Sequence, residues 1–279
     1  MSTITITAAD INKLRQMTGA GMMDCRKALT ETNGDFEEAI DWLRKKGAKV
    51  AALRGDREAK EGVVIAKTTP DNKTGIAVCV SCETDFVSKN ADFVAFAQSI
   101  ADAAINNKVS SIDELNKISI NGAKIADLVN DKLASIGEKI GISKFERVDA
   151  PYVASYIHGA YRIGVLVGMN KEAADAGKDI AMQIAAMNPV AVDADSVPPA
   201  TVEREKAIVT DQIKNDPKMA GKPNEMIEKI AMGKLNAFFK ENTLAGQAFV
   251  KDNTKSVSEY LKSVDADLKV TEFKRVQLG

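Results

Sequence analysis

The sequence is poor in the side chains that most often carry catalysis or bind metals. Its 279 residues include one histidine, His158, and three cysteines, Cys25, Cys79 and Cys82. No Ser/His/Asp set of recognisable spacing surrounds His158, and three unmatched cysteines give no disulfide framework. These absences predict a protein that is not an enzyme, holds no cofactor or metal, and resides in the reducing cytosol.

Signatures of nucleic-acid, nucleotide and membrane binding are also missing. The 38 basic and 39 acidic side chains leave a formal net charge of −1, whereas nucleic-acid binding calls for an excess of positive charge. Neither phosphate-binding pattern, G-x-x-x-x-G-K-[ST] or G-x-G-x-x-G, occurs. No run of 18 apolar residues exists, and residues 1–9 lack the basic and apolar parts of a signal peptide. We therefore expect no direct contact with nucleic acid or membrane.

A literal C-x-x-C motif, Cys79 to Cys82, raises a thiol oxidoreductase as one alternative function. Redox chemistry needs the first thiol at a helix N-terminus, where its pKa falls, and zinc needs a second pair of ligands. Here the motif ends a predicted strand, in which an offset of three places two side chains on opposite faces. We therefore interpret both thiols as small buried apolar groups.

Three helices are predicted at the N-terminus, in residues 1–55. Thr7 can cap a helix over 8–17, a second helix covers 22–32, and Asp35 can cap a third. A unit of this size buries a very small core, so we expect it to lean on a neighbour or dock on a partner. Such a unit also raises a second alternative, an adaptor that binds ubiquitin-like proteins.

The remaining sequence alternates strand and helix patterns, which predicts an α+β fold. A strand pair with strong turn chemistry between its strands precedes an alanine-rich helix, and the same order recurs later in the chain, which indicates two related subdomains. The first set covers 62–68, 74–80 and 91–106, and the second covers 154–158, 162–169 and 174–187.

Two connections complete the predicted organisation. A charged stretch, 45–61, is interpreted as a linker helix or an exposed connection, and residues 202–214 and 223–240 predict an antiparallel helical hairpin that projects from the body. The predicted units are an N-terminal domain (1–55), a first core subdomain (56–145) and a second core subdomain in two parts (146–200 and 243–279). The helical hairpin (201–242) separates the two parts of the second subdomain.

Two pairs of neighbouring residues have two interpretations each. Met22 and Met23 open a helix and cannot both face inward, so one or both stay accessible, either for helix packing or for a partner that flexible methionines suit. Asp85-Phe86 lies between a strand and a helix. A phenylalanine there is either a core anchor or an exposed residue that inserts into a partner, and the residues alone favour the core anchor.

Three segments resemble the elongation factor Ts family. Residues 18–29 have the sequence TGAGMMDCRKAL, close to the family's N-terminal signature, and residues 84–87, TDFV, match its second signature. Residues 158–165, HGAYRIGV, resemble a strand of its core. The three segments together, in this order, are specific for the family, and the resemblance runs from Ile6 to Leu278. Arg26 stands where a lysine is common, which keeps the charge and changes its geometry.

The resemblance implies an architecture and an activity. The N-terminal helices would form a domain like the ubiquitin-associated (UBA) fold, and the helical hairpin would be inserted into the second of two related α+β core subdomains. The activity would be that of a guanine-nucleotide exchange factor, which binds elongation factor Tu–GDP and promotes GDP release. It implies no cofactor, and it leaves open a dimer or a larger assembly with that GTPase.

The resemblance also implies residue roles. Phe86 would insert between helices of the GTPase and Asp85 would help to disturb its Mg²⁺ site, with Thr84 and Val87 beside them. Two further parts of the chain would contact the partner. The N-terminal domain would do so through Met22, Met23 and Arg26, and the second core subdomain through His158.

Overall fold

The computed structural model describes residues 5–217 and 223–279, and of Val50 and Ala51 it describes the backbone alone. Eleven helices and ten strands lie within these ranges, which makes the fold α+β. The connection predicted between the two hairpin helices, 215–222, lies partly outside the described residues. No helix in the described part of the chain is long and apolar enough to cross a membrane.

The N-terminal unit consists of helices α1 (Ala8–Thr18), α2 (Met22–Glu31) and α3 (Phe36–Arg54). As predicted, Thr7 and Asp35 accept backbone hydrogen bonds at the starts of α1 and α3. The three helices share a small hydrophobic cluster of their own, formed by Leu14, Ala20, Cys25, Ala28, Leu29, Ala39 and Leu43.

The first sheet is antiparallel, with strands in the order β1 (Glu61–Thr68), β2 (Thr74–Cys82) and β5 (Gly141–Asp149). The predicted hairpin is therefore confirmed, whereas β5 was missed. Between β2 and β5 the chain forms helices and one minimal hairpin: α4 (Asp85–Ser88), α5 (Ala91–Asn106), α6 (Ile112–Leu115), β3 (Ser119–Ile120), β4 (Ala123–Lys124) and α7 (Ile125–Ile136).

The second sheet repeats this strand order, with β6 (Tyr152–His158), β7 (Ile163–Met169) and, last, β10 (Val270–Gln277). Helix α8 (Ala174–Met187) follows the β6–β7 hairpin as α5 follows β1–β2. The elements between α8 and β10 are α9 (Pro199–Lys214), α10 (Asn224–Asn242), β8 (Ala248–Phe249), β9 (Asp252–Ser256) and α11 (Val257–Val264).

The two sheets pack face to face, and helices cover their outer faces. Val64, Cys79 and Leu166 belong to the apolar layer between the sheets. This layer leaves no room for a side chain at Gly164, where a Cβ would lie 2.7 Å from Val64 Cγ1. Because β2 and β7 are buried on both faces, their sequences are nearly continuous apolar runs rather than alternating ones.

Helix α3 replaces most of the predicted linker and packs against α7. The charged stretch stays helical as far as Arg54, because polar side chains on an exposed helical face cost little. The two helices approach closely at Gly47, where a Cβ would lie 2.6 Å from the Cβ of Ala134. The N-terminal unit therefore rests directly on the first sheet's helical layer.

Candidate functional site

A short turn presents the most exposed large apolar side chain of the described residues. Residues 84–87, which we name the TDFV turn, follow β2 and form most of the single helical turn α4. Phe86 is 87 % exposed, whereas Val87 packs against the core. Successive side chains on a helix point about 100° apart, so burying Val87 turns Phe86 outward. The core-anchor interpretation of Phe86 is therefore wrong.

Asp85 places a carboxylate beside Phe86. Its side chain is 47 % exposed, and Lys89 Nζ lies 2.6 Å from Asp85 Oδ2, one helical turn further along the chain. The hydrogen bond from Lys89, followed by its positive charge, holds the pKa of Asp85 below its usual value. The carboxylate therefore stays ionised at neutral pH, next to an apolar ring that has almost no intramolecular packing.

Glu138 and Cys82 hold the backbone at the start of the turn by hydrogen bonds to Thr84. The backbone N–H and the hydroxyl of Thr84 donate to the two carboxylate oxygens of Glu138, at 3.0 and 2.7 Å. The thiol of Cys82 donates to the carbonyl oxygen of Thr84 at 3.2 Å. The two donors of Thr84 are thus satisfied by a side chain from the loop between α7 and β5, and its carbonyl oxygen accepts from the last residue of β2.

Glu83 joins the turn to the end of α3. Its carboxylate, 14 % exposed, accepts the backbone N–H of Lys139 at 2.6 Å, Nη1 of Arg54 at 2.7 Å and Nη1 of Arg57 at 3.1 Å. The backbone hydrogen bond from Lys139 and the two arginines outweigh desolvation and lower the pKa of Glu83 to about 2. Neither Glu83 nor Glu138 was predicted as a site residue, because their partners are distant in sequence.

The methionines at the start of α2 lie on its outer surface. Met22 and Met23 are 52 % and 71 % exposed, and Arg26 is exposed on the same helix. Cys25 and Leu29 occupy its buried face. The prediction that one or both methionines stay accessible is confirmed. They form a surface on α2 rather than part of the TDFV turn.

His158 is exposed at the end of β6. Its Nδ1 lies 3.1 Å from the hydroxyl of Tyr156 on the same face of the strand. The turn that follows His158 leads into β7 and contacts β1, since Arg162 Nη1 lies 3.4 Å from Glu61 Oε2. Because Glu61 pairs with Cys82 in the first sheet, His158 and the TDFV turn lie at the same end of the two sheets.

The two cysteines of the C-x-x-C motif lie on opposite faces of β2, as predicted. Cys79 lies in the layer between the sheets, and Cys82 lies in the core beneath α5 and α7. Burial raises the pKa of Cys79, and burial together with the charges of Glu138 and Glu61 raises the pKa of Cys82 to about 12. Both thiols therefore stay protonated, which is unfavourable for thiol–disulfide exchange.

A fixed turn that exposes a phenylalanine is typical of a protein-binding surface, because aromatic side chains are enriched at interfaces between proteins. Comparison with known proteins agrees, because the profile of the family described as Elongation factor TS matches residues 83–279. Elongation factor Ts of Christiangramia forsetii is 48 % identical over 277 residues, 98 % of this chain and 99 % of the relative.

Two further relatives carry the same name. Elongation factor Ts of Flavobacterium psychrophilum is 47 % identical over 278 residues, 99 % of each chain, and that of Clostridium perfringens is 41 % identical over 286 aligned positions, 98 % of this chain and 93 % of the relative. The chain belongs to the elongation factor Ts family. Membership implies a nucleotide-exchange role in translation elongation and no enzymatic activity of its own.

Proposed function

We propose that this chain binds elongation factor Tu–GDP and promotes GDP release by disturbing the Mg²⁺ and phosphate site of that GTPase. The observation that carries the proposal is the environment of Phe86, an aromatic ring held in solvent on a fixed turn. Leaving a phenylalanine exposed forgoes roughly 1.5–3 kcal/mol of burial free energy in the free protein. Burial against a partner recovers that free energy.

The exchange mechanism follows from linkage between two ligands. A factor that binds the nucleotide-free GTPase more tightly than the GDP form must weaken GDP binding by the same ratio. Mg²⁺ demands near-octahedral coordination and bridges the phosphates, so a small shift of the protein around it weakens the whole site. Phe86 would supply the shift by inserting between helices, and Asp85 would add a negative charge close to the metal's ligands.

The other predicted residues have supporting roles in this proposal. Thr84 and Val87 hold the turn from either side of the exposed ring, through Glu138 and the core respectively. His158 would contact a second domain of the GTPase, and its position at the same end of the sheets as the TDFV turn allows one partner to reach both.

The N-terminal unit would dock on the GTPase through Met22, Met23 and Arg26. We expect a Met22→Ala/Met23→Ala double variant to raise the Kd of the complex with elongation factor Tu without lowering the melting temperature, because both side chains are exposed. Met232→Ala on α10, also exposed, is the matched control. Equal affinities of all three proteins would remove the docking role.

We also propose the domain organisation expected from the sequence, with one boundary moved. Separate hydrophobic clusters support a UBA-like unit over 1–55 and two related core subdomains, and the shared strand order supports their relatedness. Since β5 runs through the predicted boundary at 145/146, we place that boundary between β5 and β6. The α9–α10 hairpin over 201–242 interrupts the second subdomain, which ends with 243–279.

The direct test is the release of fluorescently labelled GDP from elongation factor Tu in an excess of unlabelled GDP. The proposal predicts that catalytic amounts of this chain accelerate release and that the acceleration saturates with its concentration. Release at the same rate with and without the chain, under conditions in which the two proteins form a complex, would contradict it. A cytosolic location is part of the same proposal, since the partner acts in translation.

A further inference from the structure

We propose that Glu83 and Glu138 are positioning residues for GDP release, because together they hold the TDFV turn in the conformation that presents Phe86. This inference rests on the proposed function and names two residues that act through Phe86. Neither side chain is itself placed to reach a partner's metal site, since each is engaged inside the chain.

The two glutamates make a reciprocal pair of hydrogen bonds. Glu83 accepts the backbone N–H of Lys139, the residue after Glu138, at 2.6 Å. Glu138 in turn accepts the backbone N–H of Thr84, the residue after Glu83, at 3.0 Å. We name these two interactions the Glu83–Glu138 clasp. Charge-assisted hydrogen bonds to backbone N–H groups are among the stronger ones in proteins, and the reciprocal arrangement fixes both chain segments at once.

The clasp supplies order that the turn cannot supply itself. Helix α4 has only four residues, and a single helical turn is unstable in isolation because nucleation is unfavourable. Thr84 occupies its N-cap position without a side-chain cap, and its hydroxyl donates to Glu138 instead. Because Phe86 has almost no packing of its own, the direction of its ring is set by the backbone that Glu138 and Glu83 hold.

The clasp also connects the turn to the N-terminal unit. Arg54 and Arg57 donate to Glu83, and Lys139 Nζ donates to the carbonyl oxygens of Gly55 and Arg57 at 2.6 and 2.9 Å. The end of α3, the TDFV turn and the loop before β5 therefore meet at one carboxylate. Movement of α3 relative to the core would be transmitted to the backbone that carries Phe86.

A double-mutant cycle separates positioning from general stability. We expect Glu138→Ala to slow saturated GDP release by about tenfold, the size of effect typical of residues coupled through direct contacts. In a Phe86→Ala background the same substitution should have little further effect, because the ring that it positions is gone. Glu138→Gln, which keeps one acceptor oxygen, should recover part of the rate.

The matched control is Glu114→Ala. The carboxylate of Glu114, on α6, accepts the backbone N–H and the hydroxyl of Ser110 at 2.8 and 2.9 Å, the same kinds of donor at a helix that follows α5 in the chain. We expect this variant to keep the wild-type exchange rate. Its melting temperature calibrates how much stability such a pair of hydrogen bonds contributes.

A readout in the free chain tests the clasp without the GTPase. Amide hydrogen exchange at Thr84, Ser88 and Lys89, whose N–H groups donate to Glu138 and to the carbonyl oxygens of Thr84 and Asp85, should speed up in Glu138→Ala and in Glu83→Gln, while exchange in α5 stays unchanged. Unchanged amide exchange in the turn would overturn the clasp even where GDP release is normal. Equal slowing of GDP release by Glu138→Ala with and without Phe86 would overturn the positioning role.

Failure of the proposed function itself has a different signature. If wild-type chain does not accelerate GDP release, the role of the clasp in release falls with the proposed function, whatever the amide exchange. If wild type and Phe86→Ala differ as proposed while Glu138→Ala and Glu83→Gln match wild type, only the positioning role falls. Should Glu138→Ala not fold, Glu138→Gln and Glu83→Gln provide the same comparison, since both keep the side-chain shape.

Discussion

Phe86 and Phe93 lie on consecutive helices and have opposite environments. Phe86, on α4, is 87 % exposed, whereas Phe93, on α5, is 1 % exposed and belongs to the core beneath the first sheet. The ring of Phe93 thus stabilises the fold, whereas the ring of Phe86 stays free to contact another protein. This contrast separates a structural role from a binding role within one short segment.

Substituting the two rings should give opposite stability results. Phe93→Ala should lower the free energy of unfolding by about 3–5 kcal/mol, since it removes a buried ring and leaves a cavity. Phe86→Ala should change it by less than about 0.5 kcal/mol, as for other exposed positions. Urea unfolding of both variants measures the difference. Comparable losses in the two variants would show that Phe86 packs in the folded protein.

The close approach of α3 and α7 predicts an unusual glycine effect. Alanine normally stabilises a helix interior by up to about 1 kcal/mol relative to glycine, and we expect that gain for Gly233→Ala on α10, where a Cβ meets open space. Gly47→Ala should instead destabilise the protein by about 1–3 kcal/mol, because its Cβ would lie 2.6 Å from that of Ala134.

A compensating substitution tests the cause of the Gly47→Ala effect. Ala134→Gly removes the opposing Cβ, so in the Gly47→Ala background it should cost less than it does alone. Urea unfolding of the two single variants and the double variant gives the coupling. Simple additivity of the two losses would show that α3 and α7 do not meet at these positions.

Local signals in the sequence predicted much of the fold. Capping residues such as Thr7 and Asp35 mark helix starts, and the helices over 91–106 and 174–187 have the bounds that their periodicity indicates. Strand β5 was missed because its charged side chains, which bond elsewhere in the fold, interrupt any apolar pattern: Lys144 donates to backbone carbonyls near the C-terminus.

The sequence likewise predicts some features of the candidate site and not others. The position of the TDFV turn was evident from its signature, but no property of the residues alone distinguishes an exposed phenylalanine from a buried one. Burial is the default for a large apolar side chain, and that default gave the wrong environment for Phe86. Glu83 and Glu138 were missed because their interaction depends on a tertiary contact between distant segments.

The lowered pKa of Glu83 predicts a contribution to acid stability. A carboxylate whose pKa falls from 4.5 in the unfolded chain to about 2 in the folded one stabilises the protein above pH 4.5. That contribution is lost as the pH falls toward 2. The groups facing Glu83 are Arg54, Arg57, Lys139 and, across the clasp, Glu138.

Glu83→Gln measures this contribution by comparison with wild type. The difference in free energy of unfolding between the two proteins should be largest near neutral pH and should shrink steadily between pH 4.5 and 2. Unfolding of the two proteins at a series of pH values measures how this difference changes. A difference that is independent of pH would contradict the ion-pair arrangement.

The burial of Cys79 and Cys82 predicts slow reaction with thiol reagents. Because the raised pKa of Cys79 and of Cys82 keeps both thiols protonated, the folded protein should react with thiol reagents at pH 8 far more slowly than the urea-unfolded chain. The Cys79→Ala/Cys82→Ala double variant should lose stability but retain GDP exchange. Rapid labelling of either native thiol, or loss of exchange in a folded double variant, would revive the oxidoreductase alternative.

The central claim is that Phe86 drives GDP release by disturbing the magnesium site. The most direct measurement is the rate of labelled-GDP release from elongation factor Tu at saturating wild type, Phe86→Ala and Asp85→Ala, with Met232→Ala as the exposed control, in Mg²⁺ and after its chelation. In Mg²⁺, Phe86→Ala should be much slower than wild type, Asp85→Ala intermediate and Met232→Ala unchanged. Chelation should close most of the gap, since the target of Phe86 is then already empty. A gap between wild type and Phe86→Ala that persists undiminished without Mg²⁺ would contradict the account.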